Sequence, residues 1–479
     1  MFKFVHWKVQ NKKVQRKDLS TMPAWDVLNA KHLLSRCLFG YSRKDLEKAL
    51  SYSTVAEFVD KELLANRPLP VPPGDWITET PTNNSLEGDR YRTMTYWWYD
   101  LMLGEGTNMR EKMTLFWHNH FVSERDKVGY PQHMYIQNNL FRRSAWGNFR
   151  QLTKDVTIDP AMLIYLDGRL SNGTTPNENY AREVMELFTI GIGNYTETDI
   201  KQAALAFTGW QVTGLNSVFN QSRFANINKT IFGKTGNYKY GDVIDLILEK
   251  PEAAEFVCRK LFKEFVFYKP NETFVKQMAD IFRKNNYEIK PVLRFLLTSD
   301  EFFGAQYRGA KIKNPMETTI GILKAFDLTP TQMTPTADWA YIYSQTQALQ
   351  QQLFYPPNVQ GWVGQRDWIS STTFVTRGSL SDYIVNTMGN TRATQFKLIN
   401  NPVNYARTYK TSEDAVKLVD DMVTVFLQFP ISAAKRQTLI STLLGSTILA
   451  NWSTSTPGAE NQIKALLKAI MRLPEFQLA

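Results

Sequence analysis

Two carboxylates one helical turn apart mark the densest polar grouping in an otherwise apolar stretch of this sequence. They lie in Thr175-Pro176-Asn177-Glu178-Asn179-Tyr180-Ala181-Arg182-Glu183-Val184-Met185-Glu186-Leu187-Phe188. With Asn177 capping a helix, Asn179, Glu183 and Glu186 share one face at i, i+4 and i+7. An amide followed by two carboxylates suits a divalent metal ion or a general acid/base pair. The Glu183–Glu186 spacing matches that of carboxylate metal sites in helix bundles, although a His holds the second position there. The competing reading is a capping and salt-bridge network built around Arg182.

Three further segments carry candidate chemistry. In Leu115-Phe116-Trp117-His118-Asn119-His120-Phe121, the two imidazoles are two residues apart. On a helix they diverge by roughly 200°, so a regular helix cannot offer both to one ion. A ligand, a catalytic base or a buried core histidine are the roles open to His118 and His120. In Asp159-Pro160-Ala161-Met162-Leu163-Ile164-Tyr165-Leu166-Asp167-Gly168, Asp159 reads as an N-cap ahead of Pro at the first helical position. Capping accounts for Asp159, which leaves Asp167 to face the Glu183 cluster. The last segment, 354–369, is a rigid aromatic loop whose Trp362 and Trp368 could line a pocket or stack on a flat cofactor; a lid over the core is the alternative. No phosphate-binding Gly-rich loop, dinucleotide fingerprint, His-Glu-x-x-His or Gly-x-Ser-x-Gly motif occurs, which weighs against an ATPase, a Rossmann enzyme and a serine hydrolase.

The elements that must hold these residues read as helices. Of 479 residues, 43% are apolar and 21% charged, the balance of a folded protein, and 13% are aromatic, enough for a substantial core. Cys37 and Cys258 are the only cysteines, which rules out a disulfide-stapled scaffold and a Cys-rich zinc module. Helical periodicity marks 26–48 in two pieces joined at Gly40-Tyr41-Ser42, then 55–59, 89–121, 131–144, 145–158, 177–190 and 197–209. It resumes over 251–267, 273–285, 290–297, 317–328, 413–428, 433–444 and 460–471. A Pro-rich loop is expected at 68–84, a linker at 329–337, and any β structure, as a small hairpin insertion, near 210–242. The expected fold is mainly α. It comprises a basic tail (1–25), a helical core carrying the polar cluster (26–328), and a helical region with the aromatic loop (329–479) packed on that core.

A net charge of +10 is modest for this length, and six basic residues of the first twenty read as a solvated tail. No nucleic-acid motif accompanies them. No segment reaches the roughly 18 apolar residues of a membrane helix, and the N-terminus lacks an apolar signal region. The expectation is a soluble protein, cytoplasmic unless it is exported with a partner.

These same segments resemble the bacterial domain-of-unknown-function family DUF1800. The resemblance runs through Phe116 to Phe121, Asp159-Pro160-Ala161-Met162 with Tyr165-Leu166-Asp167, and Asn177 to Glu183. It continues in Phe207-Thr208-Gly209-Trp210, in Pro356-Pro357-Asn358-Val359 with Gly361-Trp362, and in the ending Leu473-Pro474-Glu475-Phe476. It implies a large, mostly helical bacterial protein with no established activity. It also implies a neighbour similar to the alkaline phosphatase and sulfatase superfamily, with which such a chain could be exported. Two positions depart from the family pattern: Phe188 follows Glu-Leu where a His is common, and Ala225-Asn226 stand where His-Asp often precede Lys229 and Gly233. If either His serves chemistry, this chain is a weakened or binding-only member. Two function classes follow. One is a metal- or cofactor-dependent enzyme built on His118 or His120, Asp167, Asn179, Glu183 and Glu186, with Trp362 on the rim. The other is a non-catalytic partner or scaffold in which the same residues form a buried polar network.

Overall fold

Side-chain caps punctuate the chain into short helices. Ser42 Oγ accepts from the Asp45 amide at 3.2 Å and the Asp45 carboxylate accepts from the Ser42 amide at 2.9 Å, a reciprocal cap that starts Arg43–Leu50. Thr196 with Asp199, and Asn314 with Glu317, repeat the device at Glu197–Ala206 and Pro315–Ala325. The computed structural model describes residues 23–82, 87–388 and 401–479, so the basic stretch through Asp18 and residues 83–84 of the expected loop lie outside it. Among the described residues there are 22 α-helices and only two two-stranded sheets, so the fold is mainly α. None of these helices is long and apolar enough to cross a membrane.

The β structure lies where glycine and asparagine concentrate, as two antiparallel hairpins. Trp210–Thr213 pairs with Asn216–Phe219, Trp210 opposite Phe219, and Lys229–Ile231 pairs with Lys234–Gly236. The stretch 89–121 divides into Glu87–Gly104 and Arg110–His120, because the Gly104–Asn108 segment breaks the helical run. The expected linker at 329–337 instead holds a 3₁₀ turn, Pro330–Gln332, capped by Thr329, and a π turn, Pro335–Trp339. Helices also form at Tyr240–Glu249, Ala340–Ala348, Ser371–Thr387 and Pro402–Arg407.

Two hydrophobic cores organise these elements. The first gathers residues from Ala30 to Tyr307; the second gathers Tyr91–Leu103 with the C-terminal helices from Met316 to Phe476. The helix Arg110–His120 serves both, sending Met113 and Trp117 into the first and Leu115 into the second. Its last turn, bearing the two histidines, therefore emerges where the two cores meet.

Candidate functional site

The segment 177–190 does not continue as one regular helix. An α turn over Asn179–Glu183 passes into a π-helix over Val184–Thr189. The Met185 carbonyl accepts from the amides of both Ile190 (3.0 Å) and Gly191 (2.9 Å), and Gly191, at φ +80°, ends the element. The carbonyls of the final turn of a helix have no intrahelical donor, and here Leu187 and Phe188 turn theirs to side chains. Phe188 O accepts from His120 Nε2 at 2.9 Å, and Leu187 O accepts from Lys260 Nζ at 2.8 Å. The two side chains then meet each other, His120 Nδ1 to Lys260 Nζ at 3.1 Å.

That arrangement fixes the tautomer. A carbonyl can only accept, so Nε2 carries the proton; a neutral ring then leaves Nδ1 bare, an acceptor for the lysine. Burial, and after it the charge of Lys260, push the His120 imidazole well below its usual range, so the ring is neutral at physiological pH. The rings of Phe116, Trp117, Phe121, Phe149 and Phe188 surround it.

Lys260 comes from the helix Pro251–Phe265, which Pro251 opens at its first position. Ala254, Val257, Cys258, Leu261 and Phe265 of this helix face the first core. Phe256, Lys260, Lys263 and Glu264 share the opposite stripe at i, i+3 and i+4 spacing. Burial, and after it the Lys263 charge, lower the Lys260 amine from 10.5 to about 7. The Phe256 ring, 5.0 Å from Nζ, favours the charged form, and desolvation outweighs it.

Lys260 and His120 line a cleft of about 560 Å³. Its walls are Phe116, Phe256, Tyr268, Leu187, Val359 and Trp362, with Glu186, Lys263 and Glu264 as charged members. The aromatic loop closes one side. Asn119 Nδ2 donates to Trp362 O at 3.1 Å and the Trp362 amide donates to Asn119 Oδ1 at 2.7 Å, clamping the loop to the histidine helix. Gly361 makes that approach possible: its φ is +77°, and a Cβ there would come within 2.2 Å of Asn119 Oδ1.

The structure thus brings together His120, Glu186 and Trp362 from the residues read in sequence. Glu186 accepts from Tyr195 OH at 2.7 Å. Glu183 is half-buried beside it; burial, then the charge of Glu186, raise its carboxyl. Asn179 is exposed. Among the described residues, no three His, Cys, Asp or Glu side chains converge on a position that could hold a metal ion. His118 is not on the cleft wall: it is buried against Trp98, Phe354 and Trp362, and burial lowers it to about 3. Asp167, in a left-handed backbone conformation, faces Lys127 at 2.8 Å. Trp368 lines a smaller adjoining cavity with Lys112 and Lys311. Of the two departures, Phe188 supplies the carbonyl that orients His120, and Ala225 offers its carbonyl to Lys229 at 2.7 Å. The residue that sequence reading missed is Lys260, one lysine among many on a helix surface, whose partner lies 140 positions away.

A family model described as a protein of unknown function, DUF1800, matches residues 32–478. No curated protein and no solved structure matches this chain.

Proposed function

We propose, from the premise that this chain belongs to the DUF1800 family, that it is an enzyme whose reacting group is the Lys260 amine. The observation that carries this reading is the Lys260–His120 hydrogen bond on the wall of a cleft of small-molecule size. An amine held without a carboxylate in a desolvated wall is available as a base or nucleophile near neutral pH. His120 acts beside it as the acceptor that orients Nζ, and Glu186 supplies a carboxylate on the same wall. The test is competitive acetylation of the whole chain with acetic anhydride over a pH series, read lysine by lysine by mass spectrometry. Lys260 is expected to acetylate with a midpoint near pH 7 and to dominate the labelling there. A midpoint near that of the exposed lysines would sink the reading.

A second reading is favoured by the mouth of the same cleft, where Ile192 and Val363 are 78% and 72% exposed. Apolar side chains rimming a cavity suit docking of a protein partner; the family resemblance points to one like the alkaline phosphatase and sulfatase superfamily. A pull-down from the native host would show such a partner with the native chain and lose it with Ile192→Asp and Val363→Asp, while Lys260 acetylation stays unchanged.

A further inference from the structure

We infer that Lys260 forms an imine with an aldehyde or ketone bound in the cleft, the carbonyl carried on a flat, largely apolar group. This rests on the reading of Lys260 as the reacting amine and names its substrate class.

Among the described residues, buried and half-buried lysines differ in what surrounds each ammonium; Lys324, with Gly106 O at 3.1 Å as its acceptor, does not line the cleft, and four others bear on the argument. Lys311 is held by carboxylates, Glu264 at 2.9 Å and Glu317 at 3.0 Å, and Lys112 pairs with Glu317. In both, the carboxylates favour the charged form against the burial that disfavours it. Lys229 has no carboxylate, but three acceptors take its three N–H groups: Ala225 O at 2.7 Å, Ile227 O at 2.9 Å and Asn237 Oδ1 at 3.0 Å. Lys260 has two acceptors only, Leu187 O and His120 Nδ1, and no carboxylate among the described residues pairs with it. A neutral amine has two N–H bonds. Both are spoken for, so the remaining tetrahedral position holds the lone pair, on a residue that lines an open cleft.

The walls say what can approach that lone pair. Phe116, Phe256, Tyr268 and Trp362 present aromatic surface, and Leu187 and Val359 are aliphatic. A flat apolar body would stack there and bring its carbonyl carbon to Nζ. Lys263, one turn away on the same helix, keeps a second positive charge near and so disfavours protonation of Lys260, a known way of making a lysine nucleophilic.

The step balances without an oxidant or reductant. The Nζ lone pair forms the C–N bond and the carbonyl π pair moves to oxygen. His120 Nδ1 takes a proton from the resulting ammonium, and that proton returns to the carbinol oxygen. The hydroxyl leaves as water carrying both protons that the amine began with, C=N forms, and His120 ends neutral.

Full-length protein incubated with benzaldehyde and reduced with borohydride converts any imine into a stable secondary amine, located by peptide mass mapping. Lys260 is expected to be labelled on the order of tenfold or more above the average exposed lysine at neutral pH, because far more of it is unprotonated there. Lys260→Met, checked for native melting, is expected to lose that label. Lys263→Gln, an exposed change, removes a neighbouring positive charge that disfavours the Lys260 ammonium, so the pH midpoint of Lys260 labelling is expected to move upward. Labelling spread evenly over exposed lysines, or a Lys263→Gln midpoint that does not rise, overturns the imine. Preferential acetylation of Lys260 without aldehyde trapping overturns the imine alone; loss of both overturns the reactive-amine reading as well.

Discussion

At the scale of single residues, the site depends on which donors meet which acceptors. The Phe188 carbonyl fixes the His120 proton on Nε2, and Nδ1 then becomes the lysine's partner. Because the folded Lys260 amine titrates near 7 and an unfolded one near 10.5, the folded state binds fewer protons between those values. Stability contributed by this group therefore rises as pH climbs from about 7 towards 10.5 and is lost as pH falls back. Urea unfolding at neutral and alkaline pH should show that slope in the native protein and a flatter one in Lys260→Met. Gly361 makes a sharper steric case. Gly361→Ala places a side chain in a left-handed conformation and against Asn119, so a loss of at least roughly 1–2 kcal/mol is expected in thermal unfolding.

At the scale of elements, caps and irregular turns do the positioning. Asp159 accepts from the Met162 amide at 3.0 Å and from Gln137 Nε2 at 2.8 Å, starting Pro160–Tyr165 and tying it to the helix Pro131–Arg143. Burial raises its carboxyl to about 7 against the hydrogen bonds that favour ionisation. The folded state thus holds a proton that the unfolded state releases above 3.8, and the stability it contributes declines as pH rises from about 4 through 7. Asp159→Asn keeps an N-cap acceptor and cannot titrate, so a flatter stability profile over that window is expected, whereas Asp159→Ala should cost about 1–2 kcal/mol. The π turn over Val184–Thr189 has a comparable role: its widened spacing leaves the Leu187 and Phe188 carbonyls for Lys260 and His120.

At the scale of the whole molecule, one buried ionic network ties the two cores. Lys112 comes from the helix shared by both, Glu317 from the helix Pro315–Ala325, and Glu264 from the lysine helix, with Lys311 bridging the two carboxylates. Burial alone would raise the Glu317 carboxyl; the charges of Lys112 and Lys311 outweigh it and hold it down, at about 2. Its contribution is present above the ordinary carboxyl range and lost as pH falls from about 4.5 towards 2. Glu317→Gln leaves Lys112 buried without its close partner, and a loss of roughly 3–5 kcal/mol is expected by denaturant unfolding. Glu264 lies in this network and on the cleft wall, so the same variant tests whether the cleft survives a weakened junction.

Much of the fold was legible because its causes are local. Hydrophobic periodicity marks the helices, Ser42 and Asp159 announce the starts of two of them, and the Gly- and Asn-rich stretch near 210–242 holds the hairpins. The candidate site was legible only in part. His120, Glu186 and Trp362 stood out by residue type and setting, but helical spacing alone could not separate His120 from His118, since only packing decides which ring reaches a cleft. Asn179, Glu183 and Glu186 share a face only on a regular helix, and the π turn begins between the two carboxylates. Lys260 carried no mark at all. An amine becomes reactive through desolvation and through the partners around it, and those come from Leu187 and His120, distant in the chain. Local sequence determined the helices and their caps; how far the Lys260 amine is lowered was decided by tertiary contact alone, because burial and proximity are properties of the folded chain.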